Sequence, residues 1–497
     1  MGRDTRPKVG LISLGCSKNL IDSEVMLGHV ARDGFTVTGD IGEADVVVVN
    51  TCTFIDEAKR ESIDTILEIA ELKKKGRLKG VVVTGCMAQR YPEEIRKEIP
   101  DVDGIVGLTA EDEMSAVIGR ILGGDGGARS TGGRQKAQVP GTGTRHGHGH
   151  GHGQGKPLKT LPMAPKKGPI VLVRDPSRPF GAEVGRLRLT PRHYAYLRVA
   201  EGCDHLCTFC AIPSFRGKFR SKPEDAVLEE ARELAGDGAV ELNLIAEDTN
   251  QYGQDRRDGS TLARLLEKLA AIDGVRWIRI LYAYPAYFPD ALVRAMASID
   301  KVVKYVDIPL QHIADPVLAR MRRPPRGRTV DLLERLRAGI PGLALRTTFI
   351  CGFPGETERD HEELVSFVRD FRFERLGAFA YSPEDGTPAH DLDGQLQDGE
   401  RRARRDRVMA VQQEVAFARA KAQVGRPVEA LVEGEDEHGR IVARTGSDAP
   451  EIDPVLLLAP PPAPGRGRRP PPPPAPGTFV RARVTGASGY DLVGELG

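Results

Sequence analysis

The sequence predicts an α/β protein with an open parallel sheet at the N-terminus, a partial (β/α)6 barrel in the middle and a small β-barrel at the C-terminus. Apolar runs alternate with amphipathic helical patterns over residues 8–122 and again over about 190–385, and short strands without helices follow residue 425. A chain of 497 residues also exceeds the size of one ordinary core, so we expect several domains.

Composition limits the class of protein. The residues are 40% hydrophobic and 28% charged, and the net charge of +1 gives no general attraction to nucleic acid or acidic membranes. Seven cysteines, an odd number, do not indicate a disulfide framework. Six of them lie in a pattern suited to metal, and neither a signal-peptide core nor a membrane-spanning apolar run is present. We therefore expect a soluble cytoplasmic protein without a membrane partner.

The first domain, residues 1–122, is predicted from its alternation of strands and helices. Short apolar runs, each expected to be a buried parallel strand, are VGLISLG, DVVVVNTC and VVVTGC. The amphipathic stretches between them are SEVMLGHVARDGF and DEAKRESIDTILEIAELKKK. This order is typical of an open α/β sheet.

Residues 123–168 are predicted to form a disordered linker. They are rich in glycine and contain few apolar residues to offset the entropy of ordering. The alternating histidines could bind a metal, although solvated low-complexity sequence is the favoured interpretation. These histidines are His146, His148, His150 and His152.

The second domain, residues 169–424, is predicted from six further strand–helix repeats. Its strand candidates are YAYLRVAEG, VELNLIAED, WIRILYAYP, YVDIPLQH, LALRTTFICGF and LGAFAYSP. Helical patterns such as PEDAVLEEARELAGDG lie between them. Six repeats predict a partial barrel whose functional site lies at the carboxyl ends of the strands.

The third domain, residues 425–497, follows a predicted helix over 399–425. Its strand candidates are VEALVEG, GRIVART and TFVRARVTG. A proline-rich stretch over 454–477 interrupts them, and we expect it to be a surface insertion because sheet interiors exclude proline.

Three cysteines stand together directly after the first barrel strand: Cys203, Cys207 and Cys210, hereafter the loop triad. Three thiolates can hold three irons of a [4Fe–4S] cluster and leave the fourth iron open for a substrate or cofactor. The alternative is a structural zinc site with His205 or His193 as a distant fourth ligand.

A second set of three, the sheet triad, is Cys16, Cys52 and Cys86. Each follows an apolar strand, and the carboxyl ends of parallel strands share one edge of a sheet. The sheet triad therefore predicts a second open cluster, although cysteines at such positions could also be small buried residues. Cys351 has no partner in either triad and is expected to be buried.

The loop triad resembles the signature of the radical S-adenosylmethionine superfamily. That resemblance implies that the open iron binds S-adenosylmethionine, which is then cleaved to a 5′-deoxyadenosyl radical. It also suggests that Phe209 in the loop, Glu247 and Asp248 near the methionine amino group, and Gly352 and Gly355 near adenine contact this cofactor. For the two carboxylates, helix capping or loop polarity is the alternative.

Two open clusters followed by a small β module resemble the methylthiotransferase family over residues 8–122, 190–453 and 478–497. The last module is similar to a TRAM domain. The resemblance implies two [4Fe–4S] clusters, sulfur insertion into a C–H bond and methylation by a second S-adenosylmethionine. It also implies a sulfur donor and a low-potential electron donor such as flavodoxin or ferredoxin.

The substrate expectation comes from SLGCSKNLIDSE, NTCTFIDEAK and EGCDHLCTFCAIPSFRG. These resemble the RimO type, whose members methylthiolate the β-carbon of an aspartate in small-subunit ribosomal protein twelve. Family members that modify tRNA usually have Gln-Met-Asn after the first cysteine. Residues 421–453 and 478–497, which exclude the insert, have six Lys or Arg and ten Asp or Glu, a charge that suits a basic protein better than RNA.

Three other functions were considered. A tRNA methylthiotransferase acting on a modified adenosine near the anticodon is the main alternative. A two-cluster electron carrier would place four cysteines around each cluster and would not need the barrel. An RNA-binding scaffold would account only for the tail.

Overall fold

In the computed structural model, the described residues are 6–123, 168–178, 181–460 and 471–497. The four linker histidines and the middle of the proline-rich insert lie outside them, so the predictions made for those segments stay predictions. Within the described ranges, no helix is both long and apolar enough to cross a membrane.

The N-terminal domain is a parallel sheet of six strands in the order β2-β1-β3-β4-β5-β6. The strands are β1 (Lys8–Ser13), β2 (Thr36–Thr38), β3 (Val46–Thr51), β4 (Gly80–Gly85), β5 (Gly104–Val106) and β6 (Ile170–Leu172). The helices are α1 (Ser17–Arg32), α2 (Asp56–Lys74), α3 (Cys86–Arg90), α4 (Pro92–Glu98) and α5 (Met114–Ile121). Every residue of β3 and β4 is buried, as expected for central parallel strands covered on both faces.

The boundary predicted between the first two domains is wrong by one strand. β6 lies in the segment assigned to the barrel, but it pairs in parallel with β5, with Ile170 opposite Gly104. Three residues after a long polar segment give too little periodicity to reveal a strand from sequence.

The central domain contains a second parallel sheet, in the order β14-β13-β12-β11-β10-β7. The strands of this sheet are β7 (Tyr194–Arg198), β10 (Glu241–Ile245), β11 (Trp277–Ile280), β12 (Val302–Asp307), β13 (Ala344–Cys351) and β14 (Arg375–Ala380). Two further strands, β8 (Ala200–Glu201) and β9 (Arg220–Ser221), form a short antiparallel pair of their own. The six sheet strands follow one another in chain order, which is the arrangement of a partial barrel and confirms the predicted fold.

Helices cover the outside of this partial barrel. They are α6 (Ile212–Arg216), α7 (Glu224–Gly236), α8 (Leu262–Ala270), α9 (Asp290–Ser298), α10 (Asp315–Met321), α11 (Arg326–Gly339), α12 (Glu358–Phe371) and α13 (Asp398–Lys421). Alternate residues of β10 separate the two faces: Leu242 and Leu244 join the apolar core with the helices, whereas Glu241 lies on the other face.

The tail is a closed five-stranded barrel in the order β15-β16-β17-β19-β18. Its strands are β15 (Pro427–Glu435), β16 (Ile441–Thr445), β17 (Leu456–Leu458), β18 (Phe479–Ser488) and β19 (Asp491–Leu496). The predicted insert over 454–477 is therefore too long at its start, because β17 lies within it and pairs with both β16 and β19. Three leucines beside a proline tract are too short a signal to mark a strand.

The tail barrel docks against the amino-terminal ends of the barrel strands through buried charge. Glu241 and Arg279 are fully buried, and Arg279 Nε donates a hydrogen bond to Glu241 at 2.9 Å. Arg444 of β16 donates to the other oxygen of Glu241 at 2.6 Å. The hydroxyls of Tyr194 and Tyr196 donate to Glu451, between β16 and β17. This end of the barrel is thus held by the tail.

These contacts account for much of the acidic excess of the tail. Five of its Asp and Glu side chains pair with residues of the central domain: Glu429 with Arg276, Glu433 with His193, Asp448 with Arg375, Glu451 with Tyr194 and Tyr196, and Asp453 with Tyr305 and Arg346. The charge therefore serves contacts within the chain, and it does not argue for a basic protein partner.

Candidate functional site

The structure brings the sheet triad together at one edge of the N-terminal sheet. β1, β3 and β4 are adjacent and parallel, so the residues after them emerge side by side. Gly15 has φ +94°, and a Cβ placed there would lie 3.1 Å from the Cys52 sulfur. Glycine at this position lets the turn that carries Cys16 approach Cys52 closely.

The three thiols of the sheet triad differ in exposure. Cys52 and Cys86 are both 7% exposed, whereas Cys16 is open to solvent. Burial raises the pKa of the Cys86 thiol to about 12; the Arg216 guanidinium opposes this rise, and the neighbouring Cys16 and Cys52 contribute to it. The triad is thus a pocket of interacting sulfurs with one accessible member.

Asn19 holds the turns of the sheet triad together. Its amide Nδ2 donates to the carbonyl of Leu14 at 3.0 Å and to that of Thr51 at 2.9 Å. Its Oδ1 accepts from the Cys86 thiol at 3.4 Å. Asn50 of β3 donates to the Asn19 carbonyl at 2.7 Å. One buried side chain therefore joins the turns after β1 and β3 to the start of α3.

The loop triad lies between β8 and α6 and is held mainly by local backbone bonds. Cys210 N–H donates to the Cys207 carbonyl, and Cys203 N–H donates to the Gly217 carbonyl, both at 3.1 Å. Thr208 N–H reaches the carbonyl of Met321 at 3.2 Å. Burial raises the pKa of Cys203 and of Cys210 to about 12. The loop thus presents three close thiols from one short segment.

Neither histidine proposed as a zinc ligand completes the loop triad. His205 stacks on Tyr284 with ring centroids 3.5 Å apart, and its Nε2 is 2.6 Å from Asp248 Oδ2. His193 lies before β7, at the opposite end of that strand, and pairs with Glu433 at 2.9 Å. Neither His205 nor His193 is therefore placed to act as the fourth ligand of a zinc ion at the loop triad.

Each triad suits a cluster better than a single ion. Within the described ranges, no three or more His, Cys, Asp or Glu side chains are arranged around one metal ion. Thiolates that hold a cubane each bind a different iron and therefore stand farther apart than ligands of one ion. Three interacting thiols without a fourth match that donor set.

Arg216, the last residue of α6, contacts the sheet triad from the segment that carries the loop triad. Arg216 is 3% exposed, and its Nη2 lies 3.4 Å from the Cys86 sulfur and 2.9 Å from Asn19 Oδ1. Its Nη1 donates to Glu201 at 2.7 Å. Arg216 therefore links the end of the segment that carries the loop triad to the wall of the sheet triad.

Matches to known families cover all three parts of the chain. Residues 8–107 match the Uncharacterized protein family UPF0004, residues 197–368 match the Radical SAM superfamily, and residues 424–496 match the TRAM domain. The three matches follow the order of the three domains.

Two relatives match the chain along almost its whole length, and both are named ribosomal protein uS12 methylthiotransferase RimO. The relative from Geotalea uraniireducens is 40% identical and covers 100% of both sequences. The relative from Lachnoclostridium phytofermentans is 43% identical over 98% of this chain and 99% of its own.

This chain belongs to the RimO methylthiotransferase family.

A solved structure supports the fold of this RimO-family chain. The radical S-adenosylmethionine methyltransferase TsrM from Kitasatospora setae has a TM-score of 0.51 and 16% identity, covering 78% of this chain and 77% of its own. At that identity the likeness concerns the fold alone.

The two carboxylates predicted to contact the cofactor lie at the carboxyl end of β10, between the triads. The side chain of Glu247 is 2% exposed, and desolvation together with the neighbouring Glu201 raises its pKa to about 7. Both of its carboxylate oxygens lack a hydrogen-bond partner among the described residues, as does Asp248 Oδ1. Glu247 does not cap a helix, because neither of its carboxylate oxygens accepts a hydrogen bond from a described residue.

The predicted glycines and Phe209 lie farther along the barrel rim. A Cβ at Gly352 would lie 2.5 Å from the Arg401 side chain, and one at Gly355 would lie 2.9 Å from Arg320. Both glycines have positive φ, so internal packing alone requires them. Phe209 contacts the ring of Phe353 edge-on, with centroids 6.4 Å apart.

Cys351 is fully buried in the apolar core of the RimO-family barrel, as predicted. Sequence reasoning did not identify Asn19, Arg216 or Lys18. Asn19 and Lys18 lie directly after the first cysteine, which was the available signal. No pattern in the sequence marks Arg216, because its partners are about 130 to 197 residues away.

Proposed function

We propose that this chain is a radical S-adenosylmethionine methylthiotransferase that adds a methylthio group to the β-carbon of a conserved aspartate of ribosomal protein uS12. The relatives of the whole chain carry that activity in their names. The observation that carries the proposal is the position of Arg216 at the end of the segment that carries the loop triad, with its Nη2 3.4 Å from the Cys86 sulfur of the sheet triad.

The loop triad and the sheet triad are proposed to hold one [4Fe–4S] cluster each. Both consist of close thiols without a fourth ligand, and a guanidinium lies beside each: Arg216 at Cys86 and Arg323 at 3.7 Å from the Cys207 sulfur. Positive charge favours the thiolate form that binds iron. When bound, the first cluster would supply the electron that cleaves S-adenosylmethionine, and the second would supply sulfur.

Five residues are proposed to bind S-adenosylmethionine beside the loop triad: Phe209, Glu247, Asp248, Gly352 and Gly355. Glu247 is the strongest of them, because its two buried oxygens have no hydrogen-bond donor among the described residues and an ammonium group would satisfy them. Its charge also raises the pKa of Cys203 and of Cys210.

The remaining parts of the reaction come from partners. We propose a low-potential electron donor such as flavodoxin or ferredoxin, a separate sulfur donor, and a cytoplasmic location where ribosomal proteins are made. The division into a sheet domain, linker, barrel and tail is proposed with the boundaries predicted above, corrected for β6 and β17.

Mass spectrometry of uS12 tests the proposal. In cells with the gene, the uS12 peptide that contains the aspartate should gain the mass of one methylthio group, and deletion of the gene should remove that gain. In the same cells, nucleoside analysis of tRNA is the control. A methylthio group found on a tRNA adenosine in a gene-dependent manner, with unmodified uS12, would favour the tRNA alternative.

A further inference from the structure

Lys18 lies between the two triads. It is the second residue of α1, two positions after the exposed Cys16, and is 7% exposed. Its Nζ lies 4.2 Å from the ring centroid of Tyr282 and 3.9 Å from Glu247 Oε1. An ammonium group is thus buried next to the accessible thiol of the sheet triad.

The ammonium group of Lys18 is incompletely satisfied. It has three N–H donors, and within the described part of the chain it makes one hydrogen bond, to the Ala246 carbonyl at 3.3 Å. The distance to Glu247 is too long for a hydrogen bond. A buried cation with unused donors is costly unless an anionic group binds to it.

Tyr282, whose ring lies beside the Lys18 ammonium group, has a constrained backbone conformation. Tyr282 has φ +59°, a conformation that costs a non-glycine residue about 1 to 3 kcal/mol. Its carbonyl accepts from Thr249 N–H at 3.0 Å, and its hydroxyl is 3.3 Å from Ser17 Oγ. The Tyr282 ring therefore forms a fixed wall on one side of the ammonium group.

The proposed substrate carries an anionic group directly beside the reacting carbon. In aspartate the β-carbon is bonded directly to the carboxylate carbon, at about 1.5 Å. Any group that binds the carboxylate therefore also places the reacting carbon. Lys18 stands in the first turn of α1, and Cys16 is the residue that begins this helix, so we expect a carboxylate bound to Lys18 to hold the β-carbon on the side of the sheet triad.

We propose that the ammonium group of Lys18 binds the side-chain carboxylate of the target aspartate and selects aspartate over asparagine. This inference rests on the proposed function.

The methionine carboxylate of S-adenosylmethionine is the other carboxylate that could bind Lys18. The two sources are distinguished by measuring two affinities in the same variants: one for S-adenosylmethionine, and one for a synthetic peptide that carries the uS12 target sequence. A substrate-binding lysine changes the second much more than the first.

The experiment uses full-length enzyme with reconstituted clusters and two peptides, one with the target aspartate and one with asparagine in its place. The wild-type enzyme should bind the aspartate peptide roughly 10- to 100-fold more tightly, the range expected for a hydrogen bond to a charged group. Lys18→Met should bring this ratio close to one, and Lys18→Arg should keep most of it. Lys97→Met, at an exposed lysine of α4, is the matched control and should keep the full ratio.

Three results would overturn the proposal: a wild-type enzyme without preference for aspartate, a Lys18→Met enzyme that keeps the preference, or a loss of S-adenosylmethionine affinity with the peptide ratio intact. If Lys18→Met fails to assemble, the wild-type ratio and Lys18→Arg still decide. The proposed function fails separately, when the wild-type enzyme binds the aspartate peptide but never methylthiolates it.

Discussion

The two triads are built in different ways. The loop triad comes from one segment of eight residues, which is bonded within itself, to Gly217 and, through Thr208, to Arg320, Met321 and Ala389. The sheet triad comes from the ends of three strands and depends on buried side chains, above all Asn19 and Arg216. A contiguous motif therefore carries its geometry with it, whereas a distributed one depends on the fold and on the domain interface.

Variants that lack one triad or the other test whether the two triads have separate roles. We expect these variants to show the largest loss of activity. Replacing the three cysteines of the loop triad by alanine should lower the iron content from about eight to about four per chain and abolish cleavage of S-adenosylmethionine. The measurement is iron analysis with quantification of 5′-deoxyadenosine.

The matching variant removes the sheet triad. It should also contain about four irons and still form 5′-deoxyadenosine, but no methylthio product. Persistent 5′-deoxyadenosine formation in the loop variant would show that the assignment of the two triads is wrong.

Asn19→Ala should affect only the sheet triad. The loss of its bonds to the Leu14 and Thr51 carbonyls frees the turns after β1 and β3, and each buried carbonyl left unpaired costs about 1 to 3 kcal/mol. We expect iron to fall toward about four per chain, with the loop cluster serving as the internal control in electron paramagnetic resonance spectra. An equal loss of iron from both clusters would contradict the prediction that Asn19 supports the sheet triad alone.

Arg216→Lys tests the link between the triads. Lysine cannot bind Asp22, Glu201 and Asn19 together in the way that the planar guanidinium does. Asp22 and Glu201 keep Arg198 as a partner, so the lost hydrogen bonds should destabilise the protein by about 1 to 3 kcal/mol, seen as a lower thermal midpoint.

The control for that variant is Arg77→Lys, at an exposed arginine, which should leave the midpoint unchanged. A normal midpoint for Arg216→Lys would mean that the interface does not depend on the guanidinium.

Glu241→Gln tests the opposite end of the barrel. It leaves Arg279 and Arg444 without their shared carboxylate and should lower stability by about 2 kcal/mol. Because the tail is remote from both triads, iron per folded chain should stay the same. Glu437→Gln, at an exposed residue of the tail, is the control in the same denaturation experiment, and a selective loss of one cluster would refute the independence of the two ends.

The smallest effect is expected for the linker. Replacing residues 125–165 by about ten Gly and Ser residues removes no cysteine and few apolar side chains. Iron content and thermal midpoint should both match those of the unmodified protein. A variant with normal iron but no turnover would show that this segment takes part in function.

Much of the fold was predictable from the sequence. The runs around Val46–Thr51 and Gly80–Gly85 are so apolar that only buried parallel strands suit them, and the six barrel strands repeat at regular intervals. β6 and β17 could not be predicted, because three residues are too few to show a periodic pattern. Each forms a strand because it pairs with a neighbouring strand that is distant along the chain.

The sequence by itself determined which cysteines form each group of three, since spacing and strand ends are local properties of the chain. Only the tertiary structure decided what surrounds them: Arg216 against Cys86, Lys18 over Tyr282, and tail carboxylates that pair within the chain. Charge and polarity can be counted from a sequence, but the partner of a buried charge is a residue distant along the chain. That partner is chosen by packing, because desolvation makes a buried charge tolerable only where folding places its counterpart.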